Sequence, residues 1–144
     1  MNSAVTPELQ AAFDRERGSA RVKKTTDAAE ARAQTVRRYG RLSALQGDLI
    51  ARGSVPVACE RGCSFCCHLR VEIRPHEVFV LAQHIQTKFS PAQRAHVMTR
   101  LEENLKRLSA LSKEQHIRAG IPCALLEEGA CSVYEARPAT CRKY

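Results

Sequence analysis

Residues 59–68, with the sequence CERGCSFCCH, hold four cysteines and one histidine within ten positions. Thiolates this close repel one another and oxidise readily unless they are paired as disulfides, bound to a metal ion or used in redox chemistry. Disulfides or metal coordination would also cross-link the loop. This segment therefore constrains the fold more than any apolar pattern in the chain. The remaining sequence has to distinguish among disulfide bonding, metal binding and redox chemistry.

The cysteine count and the expected compartment favour a metal over disulfides. The amino terminus, MNSAVTPELQAAFDRERG, has no uninterrupted apolar stretch of seven or more residues and so lacks the apolar segment of a signal peptide. No segment approaches the roughly 20 apolar residues of a membrane span. We therefore expect a cytoplasmic protein, where disulfides are rare. The cysteines are also odd in number, which leaves one thiol outside any purely disulfide framework: Cys59, Cys63, Cys66, Cys67, Cys123, Cys131 and Cys141.

The composition of the chain changes near residue 55. Residues 1–55 contain no cysteine and no histidine, whereas all seven cysteines and all five histidines follow. A chain of 144 residues without tryptophan is not expected to depend on a large apolar core. We predict a mainly α fold with two parts: a basic helical arm of residues 1–55, and a small helical domain of residues 56–144 whose cysteine-rich loops are stapled by a metal.

The arm is predicted to contain two helices. Thr6 followed by Pro7 is a typical helix start, and Asp27 with Glu30 three residues later indicates a second N-cap. An apolar stripe then recurs at helical spacing toward Gly53: Val36, Tyr39, Leu42, Leu45 and Leu49. Because this stripe is too narrow to form a core alone, we expect the chain's own helical domain to cover it, with a protein partner or a second copy as the alternative.

Two more helices are predicted between the cysteine-rich ends. Pro75 opens the first, whose apolar face is formed by Val78, Leu81, Ala82, Ile85 and Phe89. A capping box of Ser90, Pro91 and Gln93 starts the longest helix, whose stripe of Val97, Leu101, Leu105, Leu108 and Leu111 runs until Gly120 and Pro122 stop it. The last stretch of the chain, from residue 122, is predicted to be loop with one helical turn at most.

The cysteine spacing is that of a metal site. Cys63 and Cys66 are separated by two residues, which lets a tight turn aim two sulfurs at one ion, and Gly62 gives the turn its flexibility. Cys59 can add a third ligand, and a helical hairpin would bring the carboxy-terminal cysteines close enough to complete a tetrahedral site. Three arrangements remain open: one four-cysteine site with spare thiols, a two-metal site with bridging sulfurs, or two sites with His68 as an eighth ligand. An iron–sulfur cluster is also compatible with this spacing.

The two ends of this domain resemble a known family. The segments CERGCSFCCH, PCALL and CSVYEARPATCR are similar to the YkgJ-like cysteine-cluster proteins, the CxxCxxCC zinc/iron-chelating domain family. The resemblance covers roughly residues 56–144 and implies metal chelation by the cysteines, without an assigned reaction. The first cysteine gap is three residues rather than two. Relatives commonly continue past the final Cys-Arg pair, so we expect either a short member or a truncated sequence.

Other residues carry weaker functional signals. Arg137 and Arg142 flank carboxy-terminal cysteines and could stabilise thiolates as nearby cations. The histidines other than His68 are expected at the surface, and the sequence has no phosphate loop, nucleophile elbow or zinc-protease motif. No catalytic residue is therefore predicted.

These observations favour one function and leave two alternatives. We expect a metal-binding structural or accessory protein, with zinc preferred to iron. An iron–sulfur or redox enzyme component, in which a spare thiol such as Cys67 reacts, is the first alternative. The net charge of +8 permits a basic zinc module on nucleic acid as the second, but the basic residues are dispersed and aromatics are few, so nucleic acid is not the favoured partner.

Overall fold

The structure is a computed structural model that describes residues 27–52 and 61–143, together with positions 7, 10, 11, 14 and 15, which are helical. The predicted N-cap Thr6 lies outside these residues. The described part contains helices α1 (Ala28–Ala51), α2 (Pro75–Lys88), α3 (Pro91–Ser109) and α4 (Lys113–Arg118) and strands β1 (Leu126–Glu127) and β2 (Ala130–Cys131). The predicted mainly α fold is thereby confirmed. No helix in the described residues is long and apolar enough to span a membrane.

Helix α1 begins where its capping residue predicts. Asp27 has extended backbone angles, and its side chain accepts a hydrogen bond of 2.8 Å from the backbone N–H of Ala29. That bond satisfies one of the amide groups that a helix start leaves without an intrahelical partner. The buried face comprises Ala31, Thr35, Arg38, Tyr39 and Leu42. Tyr39 and Leu42 are thus buried as predicted, whereas Val36 is 54% exposed, and that part of the predicted stripe is wrong.

Two capping boxes set the ends of the middle helices. The Ser90 hydroxyl accepts from Gln93 N–H at 3.2 Å, and the Gln93 side chain accepts from Ser90 N–H at 2.9 Å, which confirms the predicted start of α3. We predicted that this helix continues to Gly120, and that prediction is wrong: α3 ends at Ser109. A second capping box, of Ser112 and Gln115, starts the separate helix α4 because it satisfies a new set of helix-start amides.

The apolar stripes of α2 and α3 are only partly buried. On α2, the buried residues are Glu77, Val80 and Leu81, while the predicted Val78 is exposed. On α3, Val97 is buried, whereas Leu101 and Leu105 of the predicted stripe are exposed, Leu105 by 67%. Apolar periodicity therefore located these helices correctly but identified only part of their buried faces, Leu81 on α2 and Val97 on α3.

The chain packs as two compact units. The first unit comprises Met1–Cys59, Ile73–Leu81 and Arg137–Tyr144, and the second comprises Glu60–Glu72 and Ala82–Ala136. Both units combine segments that are distant in sequence, and α2 contributes to each. The predicted domain boundary near residue 55 divides the chain by independent folding, and it stays a prediction.

A buried polar network organises the first unit. The Glu77 side chain, only 3% exposed, accepts hydrogen bonds from the Tyr39 hydroxyl at 3.2 Å, from Ala139 N–H at 2.8 Å and from Arg74 N–H at 2.9 Å. The Arg142 guanidinium lies over the Tyr39 ring, 4.4 Å from its centroid. These contacts connect helix α1, the start of α2 and the carboxy-terminal segment, so Tyr39 of the predicted stripe is covered within the first unit.

Candidate metal centre

The first cysteine loop of the second unit is a tight turn followed by one turn of 3₁₀ helix. Gly62 has φ of 102°, a left-handed conformation that glycine adopts without steric cost, as the predicted turn requires. The chain then closes a hydrogen bond of 2.9 Å from Cys67 N–H to Ser64 carbonyl and forms the 3₁₀ helix Phe65–His68. This turn places Cys67 inside the unit, where it is only 5% exposed.

A second cysteine loop is bonded directly to the first. The N–H of Cys123 donates to the carbonyl of Cys67 at 2.7 Å, across 56 positions of sequence. Strands β1 and β2 follow as a two-residue hairpin in which Leu126 pairs with Cys131. Its turn residues, Glu128 and Gly129, have φ of 47° and 79°, which is the backbone of a type I′ turn. Backbone geometry thus brings Cys123 and Cys131 to the first loop.

Four thiols meet in this region. The Cys67 thiol interacts by hydrogen bonding with the thiols of Cys123, Cys131 and Cys66. The six described cysteines are thiols with no disulfide bond among them. We therefore name Cys66, Cys67, Cys123 and Cys131 the thiol cluster. Sequence spacing predicted that the two ends of the domain would meet, and it did not predict that Cys67, the cysteine hardest to place, would lie at the centre.

The thiols of the cluster differ in pKa. Hydrogen bonding to Cys123, Cys131 and Cys66, together with burial, raises the pKa of Cys67. The bond from Cys67 lowers the pKa of Cys123 to about 6, and the N–H of Leu125, 3.5 Å from the Cys123 sulfur, acts in the same direction. The bond from Cys67 likewise lowers the pKa of Cys131 to about 7, although burial opposes the shift. Thiolate character at neutral pH, which metal ligation requires, thus resides on Cys123 and Cys131.

The other predicted ligands lie in different places. Cys63 is half-buried in the first loop of the second unit, and His68 is exposed at the end of the 3₁₀ helix. Cys141 belongs to the first unit, and Cys59 lies outside the described residues. Within the described ranges, no three or more cysteine, histidine, aspartate or glutamate side chains are grouped as a preformed metal site. The described thiols of the cluster are instead linked by hydrogen bonding with Cys67.

The two arginines of the closing segment lie in the first unit. Arg142 donates from Nε to the Arg137 carbonyl at 3.0 Å and from Nη1 to the Ser43 hydroxyl at 3.1 Å, within the first unit. The side chains beside the second cysteine loop are instead Arg100 and Asn104 of α3, which donate to the carbonyls of Leu126 and Pro122. Sequence reasoning missed both. The available signal was their spacing of four, which puts two polar side chains on one face of an otherwise apolar-striped helix.

Solvent reaches the cluster through an open cavity of about 340 Å³ that Cys131 helps to line. Arg61, Tyr134 and Glu135 form part of its wall, and they are held together because Arg61 bonds Glu135 at 2.9 Å and lies over the Tyr134 ring. Cys123 is itself exposed. The two sulfurs with thiolate character are therefore the accessible ones, and the protonated Cys67 is the buried one.

Comparison with known proteins identifies the family of the chain. A family model described as "CxxCxxCC: Putative zinc- or iron-chelating domain" matches residues 58–144, well over half of the chain. No curated protein and no solved structure matches. The matched range contains the whole thiol cluster and the closing segment that ends in Cys141 and Arg142. The chain belongs to the CxxCxxCC family.

Proposed function

We propose that this protein binds zinc or iron through its cysteine cluster and acts as a structural or accessory metal-binding protein in the cytoplasm. The observation that carries the proposal is the bond between Cys123 N–H and Cys67 carbonyl, because it joins the two cysteine loops and gathers four thiols in one unit. Zinc is preferred, since four thiolates from two loops match the ligand set of a closed structural zinc site.

Binding an ion at this cluster changes its protonation. Each of the four thiols has to lose its proton before its sulfur can act as a ligand, and the pKa of Cys67 is the one that the neighbouring thiols and burial raise. We therefore expect metal uptake to release protons and to draw the sulfurs toward a common centre. Cys63, Cys59 and Cys141 remain proposed ligands, either as replacements for a cluster thiol or at a second ion.

The redox alternative finds no support in the environment of Cys67. A reactive cysteine is a thiolate in an accessible, electropositive environment, whereas Cys67 is buried and its pKa is raised by the neighbouring sulfurs. An iron–sulfur cluster remains an alternative content for the same thiols. Colour separates the two cases, because iron–sulfur proteins absorb visible light and a zinc–thiolate protein does not.

The test is the metal content of the full chain purified without added metal. Elemental analysis should find zinc or iron at a fixed ratio to protein, and Cys67→Ser and Cys123→Ser should each lower that ratio. Ser64→Ala is the matched control: Ser64 lies in the same loop, and its side chain makes no capping hydrogen bond, so its metal content should equal that of the wild type. Sub-stoichiometric zinc and iron in the wild-type chain would contradict the proposal.

A protein partner or a second copy of the chain would have to contact a surface other than the buried face of α1. The arm's main buried face is covered inside the first unit, so a partner or second copy would contact exposed residues such as Val36 and Ile50. Light scattering of Val36→Ser and Ile50→Ser variants tests self-association. Nucleic-acid binding would show as a salt-dependent change in the anisotropy of a labelled duplex, and we expect none at physiological salt.

A further inference from the structure

Helix α3 holds the second cysteine loop at two points. Arg100 donates from Nη1 to the carbonyl of Leu126, and Asn104, one turn later, donates from Nδ2 to the carbonyl of Pro122 at 2.7 Å. These carbonyls bracket Cys123 on both sides. Leu126 also donates its own N–H to the Cys123 carbonyl and pairs with Cys131 across the hairpin. A bond to Leu126 is therefore a bond to the segment that carries two members of the thiol cluster.

The Arg100 guanidinium has N–H donors that its bond to the Leu126 carbonyl does not use. Its Nε and Nη2 atoms are buried and have no hydrogen-bond partner among the described residues, and the ion pairs found in that part of the chain do not include it. A guanidinium always carries its charge in a protein, and burying donors of a cation without a partner is costly. Negative charge near Arg100 in the metal-bound protein would offset this cost of burying the guanidinium.

The thiol cluster would supply negative charge on the loop that Arg100 holds. Four thiolates around one divalent ion carry a net charge of about −2, and Arg100 is bonded to the segment that carries two of these sulfurs. Planar guanidinium groups suit such a site because they present several N–H donors in a fixed geometry and are weakly hydrated. Hydrogen bonds from outside the ligand set are a general means of stabilising bound metal.

We propose that Arg100 is the built-in counter-cation of the thiol cluster: it anchors the Cys123 loop through Leu126 and offsets the charge of the metal-bound thiolates. Asn104 is the uncharged side chain that holds the same loop, and its only role is to position that loop. Arg100 is a positioning residue rather than a ligand. The inference rests on the proposed metal-binding function and specifies which side chain outside the cysteines tunes it.

The experiment compares zinc dissociation constants of full-length variants by competition with a chromophoric chelator under reducing conditions. Arg100→Gln removes the charge, Arg100→Lys keeps it, and Asn104→Ala removes only the uncharged hydrogen bond to the Pro122 carbonyl. Arg94→Gln is the matched control, because Arg94 lies on the same helix and also donates one Nη1 to a backbone carbonyl, that of Gln86 at 3.2 Å. Circular dichroism without metal verifies that each variant folds.

Arg100→Gln should raise the zinc dissociation constant about tenfold or more, the size of a charge effect of one pKa unit on thiolate stability. Arg100→Lys keeps the charge but loses the fixed guanidinium geometry, so its dissociation constant should lie between those of the wild type and Arg100→Gln, and Arg94→Gln should leave binding unchanged. Equal affinity of Arg100→Gln and Arg94→Gln would overturn the inference, and so would Arg100→Lys binding as weakly as Arg100→Gln. In either case wild-type metal binding stands, so the failure is distinct from failure of the proposed function.

A second readout separates charge from loop position. With Co²⁺ in place of zinc, the intensity of the sulfur-to-cobalt charge-transfer band reports how many thiolates coordinate the ion. Arg100→Lys should keep the wild-type band at saturating cobalt, whereas a purely structural effect on the loop would lower it in Arg100→Lys and Asn104→Ala alike. That second pattern would also contradict the counter-cation role.

Discussion

Replacing Glu77 should destabilise the first unit more than any other single change of a glutamate in the described chain. Its side chain accepts three hydrogen bonds, from the Tyr39 hydroxyl and from the N–H groups of Ala139 and Arg74, at 3.2, 2.8 and 2.9 Å. Two of these donors come from segments far from Glu77 in sequence. The change Glu77→Ala therefore removes the acceptor that joins helix α1 and the carboxy-terminal segment to α2.

The magnitude follows from the number of donors left without an acceptor. A buried donor deprived of its partner costs about 1–3 kcal/mol, and bonds to a charged acceptor are at the upper end of the range. The Tyr39 and Ala139 donors are the more enclosed, and water can reach Arg74 N–H more easily at the start of α2. We therefore expect Glu77→Ala to lower the free energy of unfolding by about 3–5 kcal/mol. Glu77→Gln keeps one oxygen acceptor and should cost about 1–2 kcal/mol.

Urea denaturation of the full chain, followed by circular dichroism with reductant and chelator present, measures this change. The matched control is Glu72→Ala, because Glu72 also accepts one arginine bond, from Arg70 at 3.0 Å, but its side chain is 83% exposed. Exposed ion pairs contribute about 0–1 kcal/mol, so this variant should stay close to the wild type. If Glu77→Ala and Glu72→Ala unfold at the same urea concentration, the network does not stabilise the first unit.

Three further outcomes are expected. Burial and the neighbouring Glu77 raise the pKa of Tyr39, so as pH rises the unfolded chain loses this phenol proton, near pH 10, before the folded chain does. The free energy of unfolding should therefore fall as pH rises above about 10. Tyr39→Phe should show a smaller drop in urea midpoint between pH 8 and pH 11 than the wild type. A chain that begins at Pro56 should melt at lower temperature and bind more of an apolar dye, because the buried face of the arm is lost; unchanged melting would contradict packing within the chain. Gly129→Ala, at φ of 79°, should cost about 1 kcal/mol, whereas Gly47→Ala, within a helix and with open space around the added methyl group, should stabilise by about 0.5–1 kcal/mol.

Helix starts could be predicted from the sequence because their causes are local. Asp27 caps α1, and Ser90 with Gln93 caps α3, through bonds that span two or three residues. The buried faces could be predicted only in part, because burial depends on what the rest of the chain brings to a helix. Glu77 is buried on α2 since its donors come from α1 and from a segment 62 residues later, and nothing near Glu77 in the sequence indicates this.

The candidate site shows the same division between local and distant causes. The turn at Gly62 and the convergence of the two cysteine loops could be expected from spacing. The hairpin that presents Cys131 was not predicted, because its turn residues are Glu128 and Gly129 rather than the Asn-Gly or Asp-Gly pairs that usually indicate a type I′ turn. The central position of Cys67 also escaped prediction. Adjacent cysteines usually diverge, and here Cys67 is turned inward by the 3₁₀ bond to Ser64.

The closing segment CSVYEARPATCR reads in sequence as one motif, but the structure divides it between two physical tasks. Cys131 and Val133 belong to the second unit, where Cys131 joins the thiol cluster and Val133 is fully buried. Arg137 and Arg142 belong to the first unit, where Arg142 covers the Tyr39 ring and bonds the Arg137 carbonyl. A family signature of this kind therefore need not consist of metal ligands and their supports alone. In this chain Arg142 packs within the first unit, and the described arginine bonded to the second cysteine loop is Arg100 of α3.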